Sequence, residues 1–161
     1  MDSPSQMSDQ RTAESLYRIR FYEYCGHSPA WRLVAHAMVD LGERGFHGPR
    51  PAWPSSKSPC MAAIDKDGKA IGLITYAGET IWTIQLAYVS PEHRRKGIHT
   101  ALFNALVDKA KKQGDIFSIE TVTHVNNMAA QAAFEAQGRI KESINYSFRL
   151  KDWGDGTEPT E

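Results

Sequence analysis

Leu86-Ala87-Tyr88-Val89-Ser90-Pro91-Glu92-His93-Arg94-Arg95-Lys96-Gly97-Ile98-His99-Thr100-Ala101-Leu102 is the run on which the reading of this chain turns. It opens as an apolar strand and is stopped by Pro91, which has no amide to give a ladder. A basic triplet and Gly97 follow. Ile98, Ala101, Leu102, Ala105 and Leu106 then share one face of a helix. A strand, a basic Gly-containing turn and a helix start, in that order, make an anion site. Free backbone N–H groups and the positive end of the helix dipole converge there. Arg and Lys side chains add charge-assisted hydrogen bonds to phosphate oxygens.

Working outward, the strand that feeds this turn is the last of a meander. Cys60 to Ile64 and Ala70 to Tyr76 flank Asp65-Lys66-Asp67-Gly68-Lys69, whose Asp-Gly pair signals a hairpin. A further strand runs from Thr80 to Val89. Upstream, Tyr17 to Tyr22 alternates as a first strand. Ser28-Pro29 offers an N-cap and a proline at the first helical position. Trp31, Val34, Ala35, Met38 and Val39 stripe the helix expected next. Four prolines around Trp53, between Phe46 and Pro59, exclude a long helix there. Downstream of the turn, the helix from Ile98 ends near Gln113-Gly114. A strand over Ile116 to Thr123 and a short helix over Asn127 to Gln137, closed by Gly138, follow it. Ile144, Tyr146, Phe148 and Leu150 then alternate as a final strand.

The chain has 161 residues, enough for one domain with a proper core. The reading divides it into a disordered polar leader over 1–15, a folded domain over 16–151 and a flexible tail over 152–161. Lys+Arg and Asp+Glu both number 19, so bulk charge gives no argument for nucleic acid or an anionic membrane. No apolar run approaches the ~20 residues that span a bilayer, and a cytoplasmic protein is expected. Two cysteines, Cys25 and Cys60, make no disulfide scaffold. No His or Cys pair has convincing metal-ligand spacing, so no metal is expected.

Arg94-Arg95-Lys96-Gly97-Ile98-His99 resembles the Q/R-x-x-G-x-G/A loop of the GCN5-related N-acetyltransferases. Asn127-Met128-Ala129-Ala130-Gln131-Ala132-Ala133-Phe134-Glu135-Ala136-Gln137-Gly138 is similar to that family's N-x-x-A-x-x-(L/F/A)-(Y/F)-x-x-x-G segment. The resemblance implies an α/β (α+β) fold: a mixed, mostly antiparallel sheet of six or seven strands with helices on both faces. It implies acetyl-CoA as acyl-donor co-substrate, lying where two central strands splay apart. Ala87, Tyr88 and Val89 would offer backbone to the pantetheine. Arg95, Gly97, Ile98, His99 and Thr100 would offer amides to the pyrophosphate, aided by the Arg94 and Lys96 side chains. Asn127 and Phe134 would flank the pantetheine arm.

The chemistry so implied is direct attack of a primary amine on the thioester. It calls for a neutral amine, a donor for the oxyanion and an acid for the thiolate. Three departures from the family pattern bear on it. Phe134 stands where many members carry the Tyr taken as that acid. His99 replaces a small residue. Only about a dozen residues separate Gly138 from Leu150. Where relatives place a strand Glu, this chain has Thr83, with Gln85 beside it; Glu79 and Glu120 are the nearest carboxylates and the candidate catalytic residues. The acceptor is expected to be a small-molecule amine or a protein amine, and a homodimer is possible. The alternatives are a catalytically weak acyl-CoA binding or sensing module and a protein Lys or N-terminal acetyltransferase.

Overall fold

Five strands and three helices follow from these patterns. In a computed structural model that describes residues 16–46, 53–146, 148 and 150, the strands are β1 (Tyr17–Tyr22), β2 (Cys60–Asp65), β3 (Ala70–Ala77), β4 (Ile81–Val89) and β5 (Ser118–Thr121). The helices are α1 (Trp31–Glu43), α2 (Ile98–Gln113) and α3 (Met128–Ala136). The expected leader and tail, and residues 47–52 of the Pro-rich segment, lie outside the described residues.

The sheet order is β1-β2-β3-β4-β5, antiparallel at the first three junctions and parallel between β4 and β5. The Asp-Gly turn closes as its composition predicts. Asp65 Oδ1 accepts from the N–H groups of Asp67 and Lys69, both at 2.9 Å, and Gly68 takes the left-handed conformation. Helices cover both faces. α2 lays Ile98, Leu102, Leu106 and Ala110 against Ile74, Trp82 and Ile84. α1 lays Leu33, Val34 and Ala37 against Leu73, Leu86 and Tyr88 on the other side.

Two expectations are corrected. The buried stripe of α1 is Ala30, Leu33, Val34 and Ala37, whereas Ala35, Met38 and Val39 are exposed. Both sets keep the i, i+3, i+4, i+7 spacing, so periodicity alone does not choose between them, and the sheet packs on the face that carries Leu33. The sheet also has five strands among the described residues, not six or seven. Ile144, Tyr146, Phe148 and Leu150 are exposed and belong to no strand. Alternation specifies an apolar face but supplies no ladder partner.

Candidate active site

The candidate site opens where β4 and β5 part. Their pairing runs from Ile81↔Ser118 to Ile84↔Thr121 and stops there, while β4 continues to Val89. The β3–β4 register slips at the same level: Tyr76 faces Ile84 and Thr75 faces Leu86, which leaves Gln85 as the bulged residue. A bulge bends its strand and reverses which residues face each side. Trp82 and Ile84 accordingly pack on the α2 face, and Leu86 and Tyr88 on the α1 face. Beyond the bulge, Ala87, Tyr88 and Val89 have β3 on one side and no strand on the other among the described residues. Gln85 Oε1 is buried there without a hydrogen-bond partner among those residues.

The basic turn lies at the far end of this opening. A 3-10 turn over Pro91–His93 hands the chain to Arg94, and Arg95 then takes φ +60, the one positive φ on a non-Gly residue among those described. Gly97, the N-cap of α2, has φ +77 and no side-chain cap. Left-handed residues in such a turn draw successive N–H groups into a concavity. The first intrahelical bond is Ala101 N–H to Gly97 O. The amides of Ile98, His99 and Thr100 therefore face the turn without an intrahelical acceptor.

The expected site residues divide between roles. The Arg94 side chain is committed within the protein: Nη2 meets Asp40 Oδ2 of α1 at 2.8 Å, and Nε donates to Val89 O at 3.0 Å. Burial pushes the Asp40 carboxyl up, but the Arg94 hydrogen bond and the Arg44 and Arg94 charges outweigh it, leaving the group below its ordinary range. Arg95 and Lys96 are exposed. His99 turns away from the turn toward α3, where Gln137 Nε2 donates to its Nδ1 at 2.9 Å. Burial, seconded by the Arg139 charge, lowers the His99 pKa to about 4, so the ring is neutral. Asn127 caps α3, its Oδ1 accepting from Ala130 N–H at 3.2 Å. Phe134 packs 6.1 Å from the His99 ring and 4.3 Å from the Arg139 guanidinium.

The two candidate carboxylates are not brought together. Glu79 lies in the β3–β4 turn, at the opposite end of β4 from the basic turn. Glu120 is directly beside Thr83 in the parallel register, one step before the strands part. Its Oε1 accepts from Ser118 Oγ at 3.3 Å.

Several features had no sequence signal. Asp40, the partner of Arg94, is 54 residues away in the chain. The Phe46 ring, just past α1, lies 5.7 Å from the His124 ring, just past β5, and so joins the two walls at the mouth of the opening. His124 Nδ1 accepts from Asn126 N–H at 3.1 Å. The Pro-rich segment is stitched to the Cys25–His27 turn through Cys25 N–H to Ser58 O and Gly26 N–H to Ser56 O, both 2.8 Å. Trp53 stays partly exposed beside it. Cys25 and Cys60 are buried and both approach Ser28 Oγ, closed to solvent.

This geometry matches known proteins. The family model described as the acetyltransferase (GNAT) family matches residues 27–138. No curated protein sequence matches significantly. A solved structure of a possible acetyltransferase from Clostridium difficile 630 superposes with a TM-score of 0.62 at 19% identity, over 84% of this chain and 99% of that one. The aminoglycoside N-acetyltransferase AAC(6')-Iy in complex with CoA gives 0.59 at 19%, over 83% and 99%. A ribosomal-protein-alanine N-acetyltransferase from Brucella melitensis biovar Abortus 2308 gives 0.56 at 17%, over 83% and 99%.

Proposed function

The chain belongs to the GNAT acetyltransferase family, and from that premise we propose that residues 16–151 form a cytoplasmic N-acyltransferase domain that moves acetyl from acetyl-CoA to a primary amine. The observation that carries this is the end of β4–β5 pairing at Ile84↔Thr121, with an uncapped helix start and a left-handed basic turn beyond it. The pantetheine lies along Ala87, Tyr88 and Val89 as an added strand, with Asn127 and Phe134 alongside. The pyrophosphate accepts from the amides of Arg95 to Thr100, with Arg95 and Lys96 supplying charge. Arg94 acts mainly through its bonds to Asp40 and Val89, fixing the turn against α1.

The amine attacks the thioester carbon, the C–S bond breaks, and the thiolate leaves. Phe134 has no proton to give, so the thiolate departs as the anion or takes a proton from water. The amine loses its proton to Glu120, the carboxylate beside Thr83, or to water. The small acceptor is the favoured one, because the aminoglycoside enzymes are among the similar structures. A protein amine is the alternative, as the ribosomal-protein enzyme is also among them. Phe134 favours one other reading, an acyl-CoA sensor with little turnover. An acceptor panel of polyamines, aminoglycosides and amine-bearing peptides, assayed with acetyl-CoA for free thiol, decides between them. Thiol release on any member supports the enzyme. Acetyl-CoA binding with no release on any amine establishes the sensor.

A further inference from the structure

α1 and α2 each bury several residues against the sheet, whereas α3 buries none of its nine. Nine residues are also too few to hold a helix in water by propensity alone, so the position of α3 depends on how its ends are tied. At the N-terminal end, Asn127 Oδ1 accepts from Ala130 N–H, a bond within the helix itself. At the C-terminal end the contacts reach another helix. Gln137, the C-cap, donates from Nε2 to His99 Nδ1 at 2.9 Å and to Thr100 Oγ1 at 3.1 Å. Phe134, one turn back, lies 6.1 Å from the His99 ring. The Arg139 guanidinium then lies over two rings, that of Phe134 at 4.3 Å and that of Phe103 at 3.7 Å. His99, Thr100 and Phe103 all stand near the start of α2. That start has two uses: its amides face the basic turn, and its side chains form a socket for α3.

We propose that His99 is a positioning residue, which through Gln137 fixes α3 on α2 and so sets where Asn127 and Phe134 stand beside the acyl-CoA arm. The inference rests on the reading that acyl-CoA occupies the opening. A small residue at position 99, as in the family pattern, offers Gln137 no acceptor and Phe134 no neighbouring ring. Asn127 is the residue most displaced by a tilt at the socket, because it stands about 15 Å away along the helix. The pyrophosphate, held by backbone amides of α2, does not depend on where α3 lies. His99 therefore acts on the pantetheine half of the ligand and not on the nucleotide half. The atom that meets Gln137 is the one bonded to Cγ. Asparagine carries Oδ1 at that place, so His99→Asn keeps an acceptor while losing the ring.

The test is calorimetry of His99→Ala, Gln137→Ala, the two combined and His99→Asn, each with acetyl-CoA and with ADP, which carries a pyrophosphate and no pantetheine. His99→Ala should weaken acetyl-CoA about fivefold, the loss of roughly one hydrogen bond, and leave ADP unchanged. Gln137→Ala should weaken it at least as much. The combined variant should be no weaker than Gln137→Ala alone, since the two residues act as one unit. His99→Asn should recover most of the loss. A second arm needs no ligand. Amide hydrogen exchange over residues 128–137 should quicken in His99→Ala, with β2 and β3 unchanged, and slow again in His99→Asn. Equal losses of acetyl-CoA and ADP affinity overturn the proposal, because His99 would then act on the turn itself. Additive losses in the combined variant overturn it too, as does unaltered exchange in α3. An unsubstituted chain that binds no acetyl-CoA overturns the acyl-CoA reading instead, and the exchange arm still decides whether His99 holds α3.

Discussion

At the scale of single residues, Arg95 holds a conformation that an L side chain adopts only at a cost, about 1–2 kcal/mol for a residue with a Cβ. Strain of this kind persists where function repays it. Arg95→Gly should leave Tm unchanged or slightly raised, since relief of strain offsets the added entropy of glycine, while acetyl-CoA affinity falls. A clear loss of Tm with affinity intact would contradict the role given to this turn. His99 makes a prediction about pH. Its folded pKa of about 4 lies below the unfolded value near 6.5, so between these the unfolded chain binds more protons. Its contribution is thus complete above about pH 6.5 and is lost as pH falls toward 4, on the order of 3 kcal/mol in all. Urea titrations of the unsubstituted chain and His99→Gln, compared across that window, should show a shallower pH slope in the variant. Equal slopes would show that His99 is not the group responsible.

Two glycines make the same point at the scale of elements, for different reasons. A Cβ at Gly97 meets nothing within 4 Å, so only its φ of +77 demands glycine. Gly97→Ala should cost about 1 kcal/mol, roughly 3 °C in Tm, and weaken acetyl-CoA by tilting the start of α2. A Cβ at Gly26 would come within 2.6 Å of Ser56 Cβ, so here close approach is the constraint. Gly26→Ala should loosen the stitch between the Cys25–His27 turn and the Pro-rich segment. KM for the amine is expected to rise while acetyl-CoA affinity holds, as calorimetry beside steady-state kinetics would show. Loss of both together would place that segment in the general fold rather than on the acceptor side.

Elements were legible in the sequence wherever their signal is local. The Asp65–Lys69 turn, the strand stopped at Pro91 and the helix from Ile98 each declare themselves within a few residues. α1 is legible as a helix but its packed face is not, because Trp31, Val34, Ala35 and Met38 keep the same helical spacing as the buried Ala30, Leu33, Val34 and Ala37. The final strand was misjudged for a related reason. Residues 144–150 alternate correctly, but a strand also needs an edge to pair with, and alternation supplies none.

At the scale of the whole molecule, the least legible parts are those that join distant stretches. The Arg94 side chain, expected at the pyrophosphate, is held by Asp40 of α1, 54 residues away in the chain, a pairing no spacing rule supplies. The bulge that frees Ala87 to Val89 from β5 is likewise a property of three strands together. These long-range devices convert a basic turn into one end of an opening in the sheet. The turn is legible in its own residues; the opening is implied only by the resemblance to the family, not by any local pattern.

The central claim is that acyl-CoA lies in this opening with its pyrophosphate on the turn. Amide chemical shifts of the full chain, followed by two-dimensional NMR during titration with CoA, test it most directly. The largest and earliest changes are expected at Arg95 to Thr100, then at Ala87 to Val89 and Asn127, with little change along β1 and β2. Saturable changes that leave residues 95–100 untouched, or no saturable changes at all, would contradict it.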